Sequence, residues 1–421
     1  MKELIKISFI PNHIIMYRYI TYTLLFVASI TWGLAQSSLD EYLELAAQNN
    51  PGLKASYAAF EASMEKVPQM GTLEDPNFRA SAFGQMVETR TGAQVANFSL
   101  EQMFPWFGTL KEQRNAATLN AEVAFESYKL ERNELFLKIK ELYYPLYELD
   151  ESIRLNEENL EILGTLKTLA VSKFQNGNGQ LSDALRVDIM TNEIHTDINI
   201  LKEKKKSLVI AFNKLLNRDM MSEVLVDKSI ELTTPLSSRD SLVNNTQLEA
   251  LRKKVLASKA AERLAVKQGM PKLGVGVQYI ITQKRPEMTF TDNGQDAYMA
   301  MFSVSLPIYR KKYKAAIKET QLMQTSFTEM QTEVENNLIA QYEMASFDLS
   351  RVKQQIDLYS KQVAQTKQII TLLMTAYGND EAGFEEILRM QQLLLKYELL
   401  EITARKEYAI TIAKLEYLVA K

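Results

Sequence analysis

Two stretches restrict this chain more than any other feature. Phe98 to Phe104 alternates like a short strand, passes through Pro105-Trp-Phe-Gly108, and runs on in helical pattern to Phe174 without a turn signal. Phe302 to Pro307 leads in the same way into a helical run from Ile308 to Tyr377. Each predicts a helix of roughly 69 residues, about 100 Å long at a rise of 1.5 Å per residue. A compact globular domain has no place for such helices. Only 15 Gly and 10 Pro in 421 residues agree with few turns and long elements.

The two stretches belong to a duplication. One offset relates Ser38-Leu39 to Ser241-Leu242, Pro68 to Pro271, Phe174 to Tyr377 and Leu185 to Leu388. Residues 36–217 form the first repeat: a helix, a β-hairpin, the long helix and a return helix. Residues 218–240 are an irregular connector, and 241–421 are the second repeat. Strands are expected at about 77–87, 94–104, 272–283 and 297–306, with polar tips Glu88–Gln94 and Lys284–Asp296. The first helix is expected to end at Pro68 and Gly71. The long helices carry heptads in phase, Leu146, Leu149, Ile153 and Asn156 in one and Leu349, Val352, Ile356 and Tyr359 in the other. That period predicts side-by-side packing with a coiled-coil seam. Pro145 should bend the first long helix; its counterpart is Asp348, so the bend would be one-sided.

Composition removes several classes of function. With no Cys and only His13 and His195, thiolate sites and most histidine chemistry are excluded. A net charge of −3 gives no electrostatic case for nucleic acid. No phosphate loop, catalytic triad or metal-spaced cluster appears, so no enzyme activity, cofactor or metal site is assigned. Met299 and Met301 share the inward parity of the last strand, where thioethers would suit soft metals; packing filler is the simpler role. Lys202 to Lys206 reads as a solvated helix face. Residues 1–35 read as a signal peptide, with an apolar core from Leu24 to Ile30 and small residues before Gln36. Met16, followed by Arg18, makes a better start than Met1.

Each hairpin has one almost wholly apolar face, as in Leu273, Val275, Val277, Tyr279 and Ile281. Strands of about nine to eleven residues suffice to cross a bilayer, and lipid requires them to close into a barrel. Four strands cannot enclose a lumen when small barrels need about eight, so the barrel must be shared among chains. Three copies would give twelve strands and four would give sixteen.

The doubled hairpin–helix–return-helix plan resembles the TolC-like outer membrane efflux protein family. So do the junctions at Pro105, Gly108 and Pro307 and the tips at Phe174, Gly177 and Gly378. The Phe104–Gly108 junction is similar to the heavy-metal branch. The resemblance implies a mainly α fold with a small β part: a homotrimeric helical tunnel in the periplasm under a shared twelve-stranded barrel in the outer-membrane lipid. It implies the exit duct of a tripartite efflux system, working with a periplasmic adaptor and an inner-membrane transporter. It also places a gate at the helix tips, with Asp183 and Tyr377 in the constricting positions. Ala382 stands where many relatives carry arginine, and Asp380, Glu381, Glu385 and Glu386 add negative charge. The rival reading from another class is a periplasmic coiled-coil scaffold or adaptor that never enters lipid.

Overall fold

The computed structural model describes residues 38–227, 229–232, 238–287, 289–379 and 381–419. The expected signal peptide and Asp380 lie outside them. The described residues hold seven α-helices and four strands. In chain order they are α1 Ser38–Asn49, α2 Pro51–Met70, β1 Asn77–Thr89, β2 Gly92–Phe104, α3 Thr109–Gln175, α4 Leu181–Leu215, α5 Thr246–Gln268, β3 Lys272–Gln283, β4 Ala297–Ser305, α6 Arg310–Gly378 and α7 Phe384–Leu418, with a 3-10 helix at Arg239–Asn244 before α5.

The chain divides into two compact units, each assembled from segments far apart in sequence. One comprises the chain up to Asn49, Ile139–Glu231 and Leu358–Lys406; the other comprises Asn50–Lys138, Leu232–Asp357 and Glu407–Lys421.

Helix initiation follows the capping chemistry of the sequence. Asn50 ends α1 and caps α2, its side chain accepting from the Leu53 amide at 3.1 Å, with Pro51 at the first helical position. Contrary to the sequence expectation, Pro68 does not stop α2; the helix continues to Met70 with Pro68 inside its last turn, and Gly71 caps it as expected. Pro145 does not interrupt α3, which is continuous over 67 residues. The second heptad is buried or half-buried throughout, with Val352 and Ile356 at 0% and 3% exposure. In the first, Leu146 and Leu149 are buried; continued at the same spacing it reaches Leu163, also buried, and then Lys167 and Phe174, which face solvent. Polar seam positions find partners: Gln391 donates to Asn159 at 2.9 Å where both are buried.

Near the end of α4, buried Asn213 donates to the carbonyls of Met220 and Ser222 and accepts from Arg218. One side chain thus supplies the backbone partners that an irregular segment lacks.

The second unit holds a four-stranded antiparallel sheet in the order β1-β2-β3-β4, so β1 and β4 are its edges. Its register sets Phe78 beside Leu100, Leu100 beside Val277, and Val277 beside Ala300. The apolar parities of all four strands therefore share one face. The other face carries Arg79, Ser99, Gln278 and Met299 in the same rows. Beyond Ala82 this alternation fails, because a bulge between Ala82 and Val87 breaks the ladder. Gly84 and Met86, which continue the parity of Phe78, Ala80 and Ala82, fall in that bulge. The tip expected over Glu88–Gln94 is shorter than predicted: β1 reaches Thr89 and β2 starts at Gly92. Gly92 has φ +139°, and a Cβ there would lie 2.2 Å from the Gln283 carbonyl oxygen. Only glycine fits this turn. The β3–β4 loop is tied over it, with Arg285 donating to Thr89 O and pairing with Glu88, and the Gly294 amide donating to Thr91 O.

Candidate functional site

Two regions carry the features that sequence marks as functional: the sheet with its helix junctions, and the turns joining α3 to α4 and α6 to α7.

At the sheet, the apolar face is open. Tyr298 is 88% exposed, Phe302 83% and Val277 61%. Isolated soluble sheets do not leave such a face in water. Both edges also present unpaired backbone groups. The junction at Pro105 ends β2, since proline has no N–H for a ladder. Gly108, with φ +82°, then turns the chain so that Thr109 can open α3. Pro307 follows β4 in the equivalent place, ahead of α6 at Arg310.

The turns lie within the first unit, over a core of Leu163, Val187, Ile387, Phe384 and Tyr377. Gly177, at φ +77°, supplies the left-handed residue after α3. Gly378 is the last residue of α6, and a Cβ there would meet nothing within 4 Å, so no steric need for glycine exists at that tip. Repeat-related Phe174 and Tyr377 differ in fate: Phe174 is 44% exposed, whereas Tyr377 is buried against Phe384 with ring centroids 5.5 Å apart.

Two cations organise this region. Lys173 Nζ donates to the Tyr377 carbonyl at 2.7 Å and lies 4.4 Å from the Tyr377 ring centroid. α6 has no basic residue in its own last turn. Lys173 of α3 supplies the positive charge that a helix C-terminus favours. Arg186 was missed: it reaches Glu385 at 2.5 Å and ties α4 to α7. No local pattern announces a pair so far apart in sequence. A cleft of about 530 Å³ is lined by Asp183, Arg186, Tyr377, Phe384 and Glu385. Glu381 is exposed beyond it, its amide donating to Ala376 O. Glu386 faces Arg389 at 3.5 Å. Of the acids expected to crowd the tips, Glu385 and Glu386 are thus opposed by arginines.

The Arg186 hydrogen bond and charge hold the Glu385 carboxyl below the usual carboxylate range. A depressed carboxylate stabilises the fold above its ordinary pKa of about 4.3, and that contribution is lost as pH falls through the lower folded-state value. The Tm difference between wild type and Glu385→Gln should therefore be present at neutral pH and vanish in strong acid. A difference that persists in acid would mean that the glutamine acts through something other than lost charge.

The fold is similar to that of solved outer-membrane channel proteins. The chain superposes on the outer-membrane channel OprN with TM-score 0.74 at 15% identity, over 91% of this chain and 89% of that one. It matches the outer membrane protein VceC from Vibrio cholerae with TM-score 0.70 at 14% identity, over 90% and 95%. CusC, described for its folding and transmembrane channel formation, gives TM-score 0.74 at 13% identity, over 91% and 92%. No protein-family model and no curated protein matches the sequence.

Proposed function

We propose that the protein is an outer-membrane exit channel of a tripartite efflux system. In this reading it conducts passively what an inner-membrane transporter delivers through a periplasmic adaptor. The observation that carries it is the sheet: one continuous apolar face, one polar face, and unpaired strands at both edges. Lipid leaves no backbone group unsatisfied, so β4 of one copy pairs with β1 of the next. Three copies then close twelve strands around the polar face, and two helical hairpins per copy build the periplasmic tunnel. A lipid-free scaffold would need no face such as Tyr298, Phe302 and Val277.

Because the chain has no native Cys, the closure is directly testable. Single pairs of cysteines between β1 positions 77–81 and β4 positions 299–303 should give disulfide-linked dimers and trimers, and nothing larger. A continuing ladder of higher species, or no cross-link in any pair, would refute the closed ring.

In the same reading the tips form the aperture, with Asp183 and Tyr377 at the constriction and Asp380 and Glu381 as its acidic lining. Rings of carboxylate at a constriction favour cations. Asp183→Ala with Tyr377→Phe should raise single-channel conductance in planar bilayers, and neutralising Asp380 and Glu381 should weaken cation preference. Unchanged conductance and reversal potential would return these residues to capping and packing roles.

A further inference from the structure

At the foot of the sheet, a cavity of about 640 Å³ opens between the end of α2, the start of α3, the end of α5 and the start of α6. Lys267, Lys272 and Lys312 all line it. Glu74 is the one carboxylate on its wall, and it is already paired with Lys272 at 2.9 Å. Lys267 donates only to a neutral acceptor, the Phe107 carbonyl, at 3.3 Å. Lys312 lies 5.9 Å from the centre of the Tyr313 ring. Among the described residues, two positive charges are thus left without an acid in one cavity.

The first turn of α3 faces the same space through Thr109 and Leu110. A helix start carries amides without intrahelical acceptors and the positive end of the dipole, which together favour an anion. An independent observation points to a ligand. Thr109 is only 4% exposed, and its hydroxyl oxygen has no hydrogen-bond partner. A buried hydroxyl left unmatched is costly, and an oxyanion in the cavity would accept a hydrogen bond from it.

The rim decides what carries the anion. Met70, Leu73 and Met270 are 45%, 42% and 38% exposed there, and Phe107, next in sequence to Trp106 of the lining, is 77% exposed. A bare inorganic anion has no use for such a rim. Phe104 and Leu273, paired in the last row of the apolar face, lie one residue from Pro105 and Lys272 on the cavity wall. The apolar face therefore ends where the lysines begin, which is the level of lipid phosphates in a membrane-inserted sheet.

We propose that this cavity binds an anionic phospholipid, its phosphodiester held by Lys267, Lys312, the Thr109 hydroxyl and the start of α3, with its acyl chains passing over the apolar rim. The site rests on the membrane-inserted reading above.

The test uses the assembled full-length protein in neutral detergent, offered equal phosphatidylglycerol and phosphatidylcholine, with bound lipid counted by native mass spectrometry and conductance recorded in parallel. Wild type should retain phosphatidylglycerol in clear preference. Each basic residue near an anionic lipid surface is worth about fivefold in binding, so Lys267→Gln with Lys312→Gln should lower retention about 20-fold while conductance persists. Thr109→Val guards against a folding artefact: it removes an unsatisfied hydroxyl, so the fold should hold while retention falls about threefold. Excess inorganic phosphate should not displace the lipid. Equal retention of the two lipids, or retention unchanged in both variants, overturns the site and leaves the channel standing. Displacement by inorganic phosphate identifies a free-anion site and overturns the lipid assignment. Absence of any wild-type conductance overturns the channel reading and this site with it.

Discussion

Arginine at Val277 is expected to abolish membrane insertion while leaving the helices folded. Val277 sits mid-strand in β3, between Leu100 and Ala300, and is 61% exposed on the apolar face. A guanidinium at the midplane of a lipid-facing strand costs about 2–4 kcal/mol, and a ring of copies multiplies that cost. The neighbouring Gln278 lies on the opposite face between Ser99 and Met299. Gln278→Arg should therefore insert normally and alter only ion selectivity. The measurement is the fraction of each variant recovered as detergent-extractable, protease-protected oligomer from outer membranes. Equal recovery of the two would mean that the apolar face does not meet lipid.

Leu163→Ala should produce the largest loss of stability in the helical part. Leu163 is fully buried among Leu166, Ala170, Val187, Ile387 and Tyr377. Truncating a leucine in such a setting costs about 3–5 kcal/mol, the transfer loss plus the cavity left behind. Two paired helices cannot close around that cavity without shifting the seam, so the residual volume should stay high. Chemical unfolding of the solubilised protein checks the magnitude. Hydrogen exchange over the two turns checks its location, with faster exchange expected near Gly177 and Tyr377. A cost below about 1 kcal/mol would show that the seam repacks freely. Ile162, one residue away but 42% exposed, provides the control: its alanine variant should be nearly neutral unless another copy covers it.

Much of this architecture was legible because its signals are local. Strand parity in β2, β3 and β4, the length of α3 and α6, the heptad phase and the left-handed turn at Gly177 all follow from residues within one or two turns of each other. The sequence by itself therefore determined which elements form and which face of each is apolar. What it could not determine was pairing across the chain. The register that sets Leu100 beside Val277 joins residues of β2 and β3, far apart in sequence, and only the tertiary structure shows that the apolar parities fall on one face. The bulge between Ala82 and Val87 was hidden for a related reason: it is a shift of β1 against its partner strand β2, so it depends on residues of the other strand as well. At the tips, Arg186 with Glu385 and Lys173 with Tyr377 are long-range charge contacts, and a charged residue on a helix surface looks the same locally whether it meets a partner or water. The cavity under the sheet is the clearest case. Lys267, Lys312 and Thr109 come from three separate helices, each unremarkable in its own segment, and only folding brings two unmatched cations and an unsatisfied hydroxyl to one wall.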